Sequence, residues 1–261
     1  MAQAPETRGH IIGFREQIRA ARDESREAFF TWFDRSPDAD SAPVRGAWDF
    51  AMHIARPLAG RIREPEKKTI LEIGYGGGRV LAAAARAFGR AVGVDIHDCG
   101  ETVLEELARL GVRNAELHCG DGRSLPVPDA SVDVVYSFIV LQHVELLAIH
   151  RALVAETARV LRPGGVAVLY HARLSRLSPH TTSRLRLALD WLIEQTIWRG
   201  RYREYPTHVN DINLRLSLPR AQAEARVAGL ACEAVYVSRR RLPDGFRSFG
   251  EQFGLVLRKP A

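Results

Sequence analysis

Lysine is nearly absent from this chain: 3 residues against 34 arginines, within 261 residues carrying a net charge of +6. Such a skew beside abundant alanine also follows from GC-rich coding. The basic balance therefore points only weakly to nucleic acid or another anionic partner. Cysteine is scarce too. Cys99, Cys119 and Cys232 make no C-x-x-C pair and no zinc-type spacing with histidine, which leaves free thiols in a reducing compartment. No apolar run reaches the roughly 18 residues of a membrane-spanning helix. The charged opening stretch lacks a secretory apolar core, so the expected location is cytoplasmic. Repeats and low-complexity tracts are missing as well. A hydrophobic content of 46% over this length is enough for one large α/β core with a small appendage.

Two helices are expected in the first 65 residues. One runs over 10–33, with apolar positions at Ile11, Phe14, Ile18, Phe29, Phe30 and Phe33 and a charged interruption at 22–26. A turn-rich linker at 36–43 separates it from a second helix over 47–62. From Thr69 short apolar runs alternate with helix-length segments. Strands are expected at 69–73, 91–94, 115–119, 132–138 and 166–171. Helices fall at 79–88, 101–110 and 146–161. This alternation predicts a parallel sheet with helices on both faces, doubly wound through right-handed crossovers. The rhythm breaks at 173–217, a basic and aromatic insertion with one helix at 183–198. It resumes with a helix opened by Pro219 and ended at Gly229, then two strands at 231–238 and 249–257. An N-terminal extension (1–65) and an insertion at the carboxyl edge of such a sheet are candidates for covering a site.

Ile70-Leu71-Glu72-Ile73-Gly74-Tyr75-Gly76-Gly77-Gly78-Arg79 is an apolar strand running through a glycine loop into a helix. Glycines allow positive φ and close ligand approach, and the helix start offers free N–H groups. A dinucleotide fingerprint is G-x-G-x-x-G, but its third glycine falls here on Arg79. The spacing is instead E-x-G-x-G-x-G. Asp95 ends the second strand, where a carboxylate can accept both hydroxyls of a ribose. Cys119-Gly120-Asp121-Gly122-Arg123 follows the third strand. Asp133 to Val144 and Arg159-Val160-Leu161-Arg162-Pro163-Gly164-Gly165 complete the set.

These motifs, in this order over 69–171, resemble class I S-adenosylmethionine (SAM)-dependent methyltransferases of the type 11-like small-molecule kind. The resemblance implies a Rossmann-like doubly wound sheet of seven mostly parallel strands with an antiparallel last strand, the 1–65 helices and the insertion being additions to it. It implies SAM as cofactor and S-adenosylhomocysteine as product. Glu72 suits the methionine amino group, with Gly74, Tyr75, Gly76 and Gly78 around it. Asp95 and Ile96 would take the ribose, and Gly120, Asp121, Gly122 and Arg123 the adenine side. Ser137, Phe138 and Gln142 come from the strand-four loop.

Methyl transfer needs no metal, because the leaving group is neutral; a hydroxyl acceptor does need its proton removed. His143 is the first candidate base, His171 the second and His208 a distant third, each with ordinary packing as its structural alternative. Tyr75 can sit near a sulfonium or simply pack under the loop. The expected acceptor is a small molecule, lipid or glycan, methylated on oxygen, and an anionic one if the arginines of 173–217 and Arg239-Arg240-Arg241 bind it. Three other readings compete. An RNA or protein methyltransferase lacks a planar-nitrogen motif in Ser137-Phe138-Ile139-Val140. A SAM-binding protein without turnover and a nicotinamide oxidoreductase complete the set.

Overall fold

A computed structural model of the chain describes residues 13–33, 38–175, 177, 181–205, 209, 211–242 and 245–261. Ile11 and His208, named above on sequence grounds, and Arg176 of the 173–217 insertion lie outside the described residues.

The N-terminal region is helical in pieces. Helix α1 (Phe14–Glu24) and α2 (Arg26–Trp32) meet at Ser25, whose backbone is extended (φ −171°, ψ 163°). Its Oγ accepts the Ala28 N–H at 3.0 Å and so caps α2. The single helix expected at 10–33 is therefore two, because the serine satisfies a new helix start better than it continues an old one. Helix α3 (Ala42–Asp49) begins five residues earlier than expected, with proline in its first turn. It runs on through a π-helical stretch (Phe50–Ala55) into α4 (Arg56–Leu58).

The α/β body follows. Strands β1 (Thr69–Ile73), β2 (Arg90–Asp95), β3 (Ala115–Cys119), β4 (Val132–Ser137) and β5 (Leu161–Arg173) alternate with α5 (Arg79–Ala87), α6 (Gly100–Arg109) and α7 (Leu147–Val160). The insertion carries α8 (Arg184–Gln195) and a hairpin of β6 (Tyr202–Glu204) and β7 (Leu214–Leu216). Helix α9 (Leu218–Val227), β8 (Ala231–Leu242) and β9 (Gly245–Arg258) close the chain. β3-β2-β1-β4-β5 are parallel neighbours, and β9 lies antiparallel between β5 and β8. The expected seven-stranded sheet is thus present, and the β6–β7 hairpin is an addition to it. β4 pairs with β5 only as far as Ser137↔Leu169, and β7 takes over at Ala172 and Arg173. The insertion is therefore seated directly above the end of β4.

Every residue of β4 is buried, as expected of a central strand covered on both faces. One face packs against α1 to α6, where the run Ala82 to Ala85 lets α5 approach the sheet closely. The other packs against α7 and α9. Strand order reverses between β1 and β4, and the crevice at such a switch point is where open α/β sheets bind ligands. Among the described residues no helix is long and apolar enough to cross a membrane.

Candidate active site

Two cavities meet at the carboxyl ends of β1 and β4. The first, of about 160 Å³, is built on the loop between β1 and α5. Gly74 has φ +80°, and a Cβ there would lie 2.3 Å from Val140 Cγ2. At Gly76 (φ +51°) a Cβ would come within 2.9 Å of the Phe33 ring. The loop thus needs glycine both for its backbone and for the side chains packed over it. Asp95 holds it in place: its two carboxylate oxygens accept the N–H groups of Gly76 and Ile96, each at 2.7 Å. Glu72 is buried at the base, accepting the Tyr136 hydroxyl at 2.7 Å. Burial, with a contribution from the Asp95 charge, pushes its carboxyl up to about 8 against the opposing pull of Tyr136 and Arg79.

Gly120, Gly122, Ser124 and Leu125 form the far wall. Helices α1 and α2 roof the cavity with Phe14, Ile18, Trp32 and Phe33. Arg15 fastens this roof by donating to the Ile96 carbonyl at 2.7 Å and the Gly120 carbonyl at 3.4 Å.

The second cavity, of about 670 Å³, shares Phe138 and Ile139 with the first. Its walls include Asp49 and His53 from the N-terminal helices, Gln142 from the β4 loop, and Arg239 and Gln252 from the β8–β9 hairpin. His53 stacks on Phe138 (centroids 4.3 Å apart, planes at 17°). Its Nδ1 lies 3.5 Å from Asp49 Oδ1, and its Nε2 accepts the Arg239 N–H at 3.2 Å. Asp49 also pairs with Arg79 on the first cavity's side. Burial works to raise the Asp49 carboxyl, but His53 and Arg79 outweigh it and hold it below its ordinary value.

A hydrogen-bonded chain links the two cavities. Gln252 Nε2 donates to Gln142 Oε1 at 2.7 Å. Gln142 Nε2 lies 3.3 Å from His143 Nε2, and His143 Nδ1 lies 2.6 Å from the Asp211 carbonyl. A carbonyl only accepts, so Nδ1 carries the proton and the Nε2 lone pair faces Gln142. Burial pushes His143 below its ordinary value and favours this neutral form. Ile139 itself has φ +65°, a left-handed conformation that is unusual for a β-branched residue.

The structure gathers Glu72, Gly74, Tyr75, Gly76, Asp95, Ile96, Gly120, Gly122, Phe138 and His143 around the first cavity. Gly78, between the lining residues Gly77 and Arg79, does not itself line the cavity and caps α5 with φ +77°. Tyr75 packs its ring against His97 at 4.9 Å, beneath the loop. Gln142 belongs to the second cavity.

Four further expected site residues line neither cavity. His171 lines neither cavity. It faces the opposite side of the sheet, buried between His150 (5.0 Å) and Phe253 (5.4 Å), because alternation along β5 turns Tyr170 toward Phe138 and His171 away. Asp121 is exposed and does not line the cavity; its Oδ1 accepts the N–H groups of Arg123 and Ser124 in a local turn. Arg123 is likewise outside the lining. Ser137 is fully buried and donates to the Ile73 carbonyl at 3.1 Å. Sequence reasoning missed Asp49, His53 and Gln252; Arg239, named above as a possible anion binder, lines the second cavity. The Asp49/His53 spacing of four on a helix was the one local signal available.

Residues 71–169 match the family model described as a methyltransferase domain. The biotin biosynthesis bifunctional protein BioHC of Cellvibrio japonicus is 28% identical over 233 residues, covering 87% of this chain and 41% of that one. A malonyl-[acyl-carrier protein] O-methyltransferase of Methylococcus capsulatus is 29% identical over 83% of this chain and 71% of its own. The chain spans 41% to 44% of the length of three curated relatives it matches, the bifunctional protein among them. Among solved structures, the 1,6-didemethyltoxoflavin-N1-methyltransferase of Burkholderia thailandensis, with S-adenosylhomocysteine bound, shares the fold. Its TM-score is 0.59 at 16% identity, over 94% of this chain and 85% of that one.

Proposed function

We propose, from the match of residues 71–169 to a methyltransferase-domain model, that the whole protein moves a methyl group from SAM, held in the first cavity, to an acceptor held in the second. The observation that carries this reading is the shared wall. Phe138 and Ile139 border both cavities, so a donor and an acceptor would meet there with water excluded. The glycine cradle, the buried carboxyl of Glu72 and the carboxylate of Asp95 suit a ligand that combines an amino group, a ribose and an apolar surface. Glu72 would take the ammonium group and Asp95 the ribose hydroxyls. The wall at Gly120, Gly122 and Leu125 would take the base. SAM supplies an electrophilic methyl on a sulfonium, and its departure leaves a neutral thioether.

The chain's own part is alignment and proton handling. Acceptor binding would displace the Gln142 amide from His143 Nε2, which then receives the proton of an acceptor hydroxyl. The Nδ1–H bond to Asp211 keeps the ring in the tautomer this requires. His53 is a second reading for the base, favoured by the Asp49 carboxylate beside its Nδ1. Residues 1–65 act as a cover and 173–217 as a lid. The acceptor is a small molecule, lipid or glycan methylated on oxygen, and an O-methyltransferase among the relatives supports that atom. It is also acidic. Arg239 faces the second cavity stacked on Phe249 at 4.1 Å, and among the described residues no carboxylate pairs with it. Burial and the neighbouring charges of Arg56 and Arg184 hold it below its ordinary value, as in a site short of one anion.

Two measurements test this. Asp95→Ala is expected to weaken S-adenosylhomocysteine binding by at least about tenfold, since hydrogen bonds to charged groups contribute ~1.5–3 kcal/mol; unchanged affinity would relocate the cofactor. Labelled methyl from SAM is expected in the acidic small-molecule, lipid or glycan pool of a host extract. Label in RNA or protein instead would reverse the acceptor assignment. On the acceptor so identified, His143→Ala is expected to lose at least ~100-fold in turnover and His53→Ala less. The opposite order would make His53 the base.

A further inference from the structure

Helix α8 is built inside out. Its buried positions are acidic: Asp190 and Glu194 are almost wholly enclosed. Asp190 pairs with the buried Arg173 at 2.6 Å and accepts the Ser175 hydroxyl. Glu194 accepts the backbone N–H groups of Ser175 (3.3 Å) and Leu218 (3.2 Å). Three of its four leucines face outward, and Leu187 is half-buried. Leu185, Leu189 and Leu192, at the i, i+4, i+7 spacing that shares one helix face, are 70%, 48% and 58% exposed, and Ile197 just beyond the helix is 63% exposed. A helix in a water-soluble fold ordinarily does the reverse. The acids anchor α8 to the body, and the leucine ridge is left for something else.

The surrounding charge says what that is. Arg184 and Arg186 flank the ridge on its two sides, and Arg199, Arg201 and Arg203 follow in the adjoining turn and strand, all exposed. Among the described residues no carboxylate pairs with any of these five, and Arg201 and Arg203 lie against the Trp198 ring at 5.6 and 5.5 Å. Two copies of the chain joined ridge to ridge would set these arginines against each other, which disfavours a second copy. A convex apolar ridge flanked by cations fits an anionic lipid surface, with leucines in the acyl boundary and arginines at the headgroups. The placement is apt. Thr181, three residues before α8, accepts the Phe249 N–H at 2.9 Å, and the next residue, Gly250, lines the second cavity.

We propose that α8 is an interfacial anchor that docks this protein on an anionic lipid surface, with the mouth of the second cavity beside the contact. The proposal stands independently of the methyl-transfer reading.

The test is co-sedimentation of the full chain with phosphatidylcholine vesicles and with vesicles of equal parts phosphatidylcholine and phosphatidylglycerol. The parent is expected to pellet with the mixed vesicles only, and less so as salt rises. A Leu185→Glu/Leu189→Glu variant is expected to lose about tenfold or more in bound fraction while binding S-adenosylhomocysteine as the parent does. An Arg184→Glu/Arg186→Glu variant should lose binding in the same way. The proposal fails if the parent ignores anionic vesicles or if the leucine variant pellets undiminished. It also fails if the parent sediments in free solution as a dimer that the leucine variant dissociates, since the ridge would then cover a second copy.

Discussion

Glu72 is the residue whose protonation should report ligand binding. With its carboxyl pushed up to about 8 by burial, it is mostly protonated in the free protein at pH 7. An ammonium group placed against it favours the ionised form, so the bound carboxyl titrates lower. The sign follows from linkage: the free state holds the extra proton, so binding near pH 7 releases protons and affinity rises from pH 6 toward 8. Titrating S-adenosylhomocysteine calorimetrically at pH 7 in two buffers of different ionisation enthalpy checks this. Buffer-independent heats would mean that Glu72 does not meet the amino group. Glu72→Gln should abolish the proton release and weaken binding roughly tenfold, or about 1.4 kcal/mol. Glu72, the glycines and Asp95 were legible in the sequence because strand, loop and acid are contiguous there. The Asp49–His53 pair was not. It reaches the site only because α3 and its π-helical continuation pack beside β8, where His53 meets Arg239 across 186 residues of chain.

Among the elements, the loop after β4 carries the strain. Ile139 at φ +65° borders both cavities, and a left-handed conformation costs an L-residue roughly 1–2 kcal/mol. Ile139→Gly relieves that strain but adds about 0.5–1 kcal/mol of chain entropy and loses some packing. Urea unfolding is expected to show a stability change within ~1 kcal/mol, while methyl transfer falls at least ~10-fold because the shared wall has gone. A large stability loss with normal transfer would make Ile139 a packing residue only. The long strands and helices of the α/β body were readable from periodicity. β6 and β7 were not, since three-residue strands carry no period. α8 was located, but apolar periodicity alone would have turned its leucines inward; Arg173, Asp190 and Glu194 decide otherwise. His171 failed on parity, since placing a residue at a strand end leaves its face undetermined until the neighbouring side chains are known.

Across the whole molecule, β5 is the strand on which both cores rest. Tyr170 enters the core beneath the N-terminal helices, and His171 enters the one beneath α7 and α9. There His150 and His171 lie with their rings 5.0 Å apart, and among the described residues both nitrogens of His150 and Nδ1 of His171 have no hydrogen-bond partner. Burial pushes His150 down to about 4, with the neighbouring charges making smaller contributions, and pushes His171 well below its ordinary value. Both must stay neutral for α7 to remain packed on the sheet. In the unfolded chain each titrates near 6.5, so below that pH the unfolded state binds more protons than the folded one. Stability is therefore complete above about pH 6.5 and falls as pH drops toward 4, with His150 alone accounting for roughly 3 kcal/mol. His150→Leu keeps similar bulk and removes the titration. Urea midpoints at pH 7.5 and 5 should lie closer together in that variant than in the parent, with His171 keeping the remaining difference. An equal acid loss in both would place the acid sensitivity of the fold in its carboxylate pairs, not in the histidines between α7 and β5.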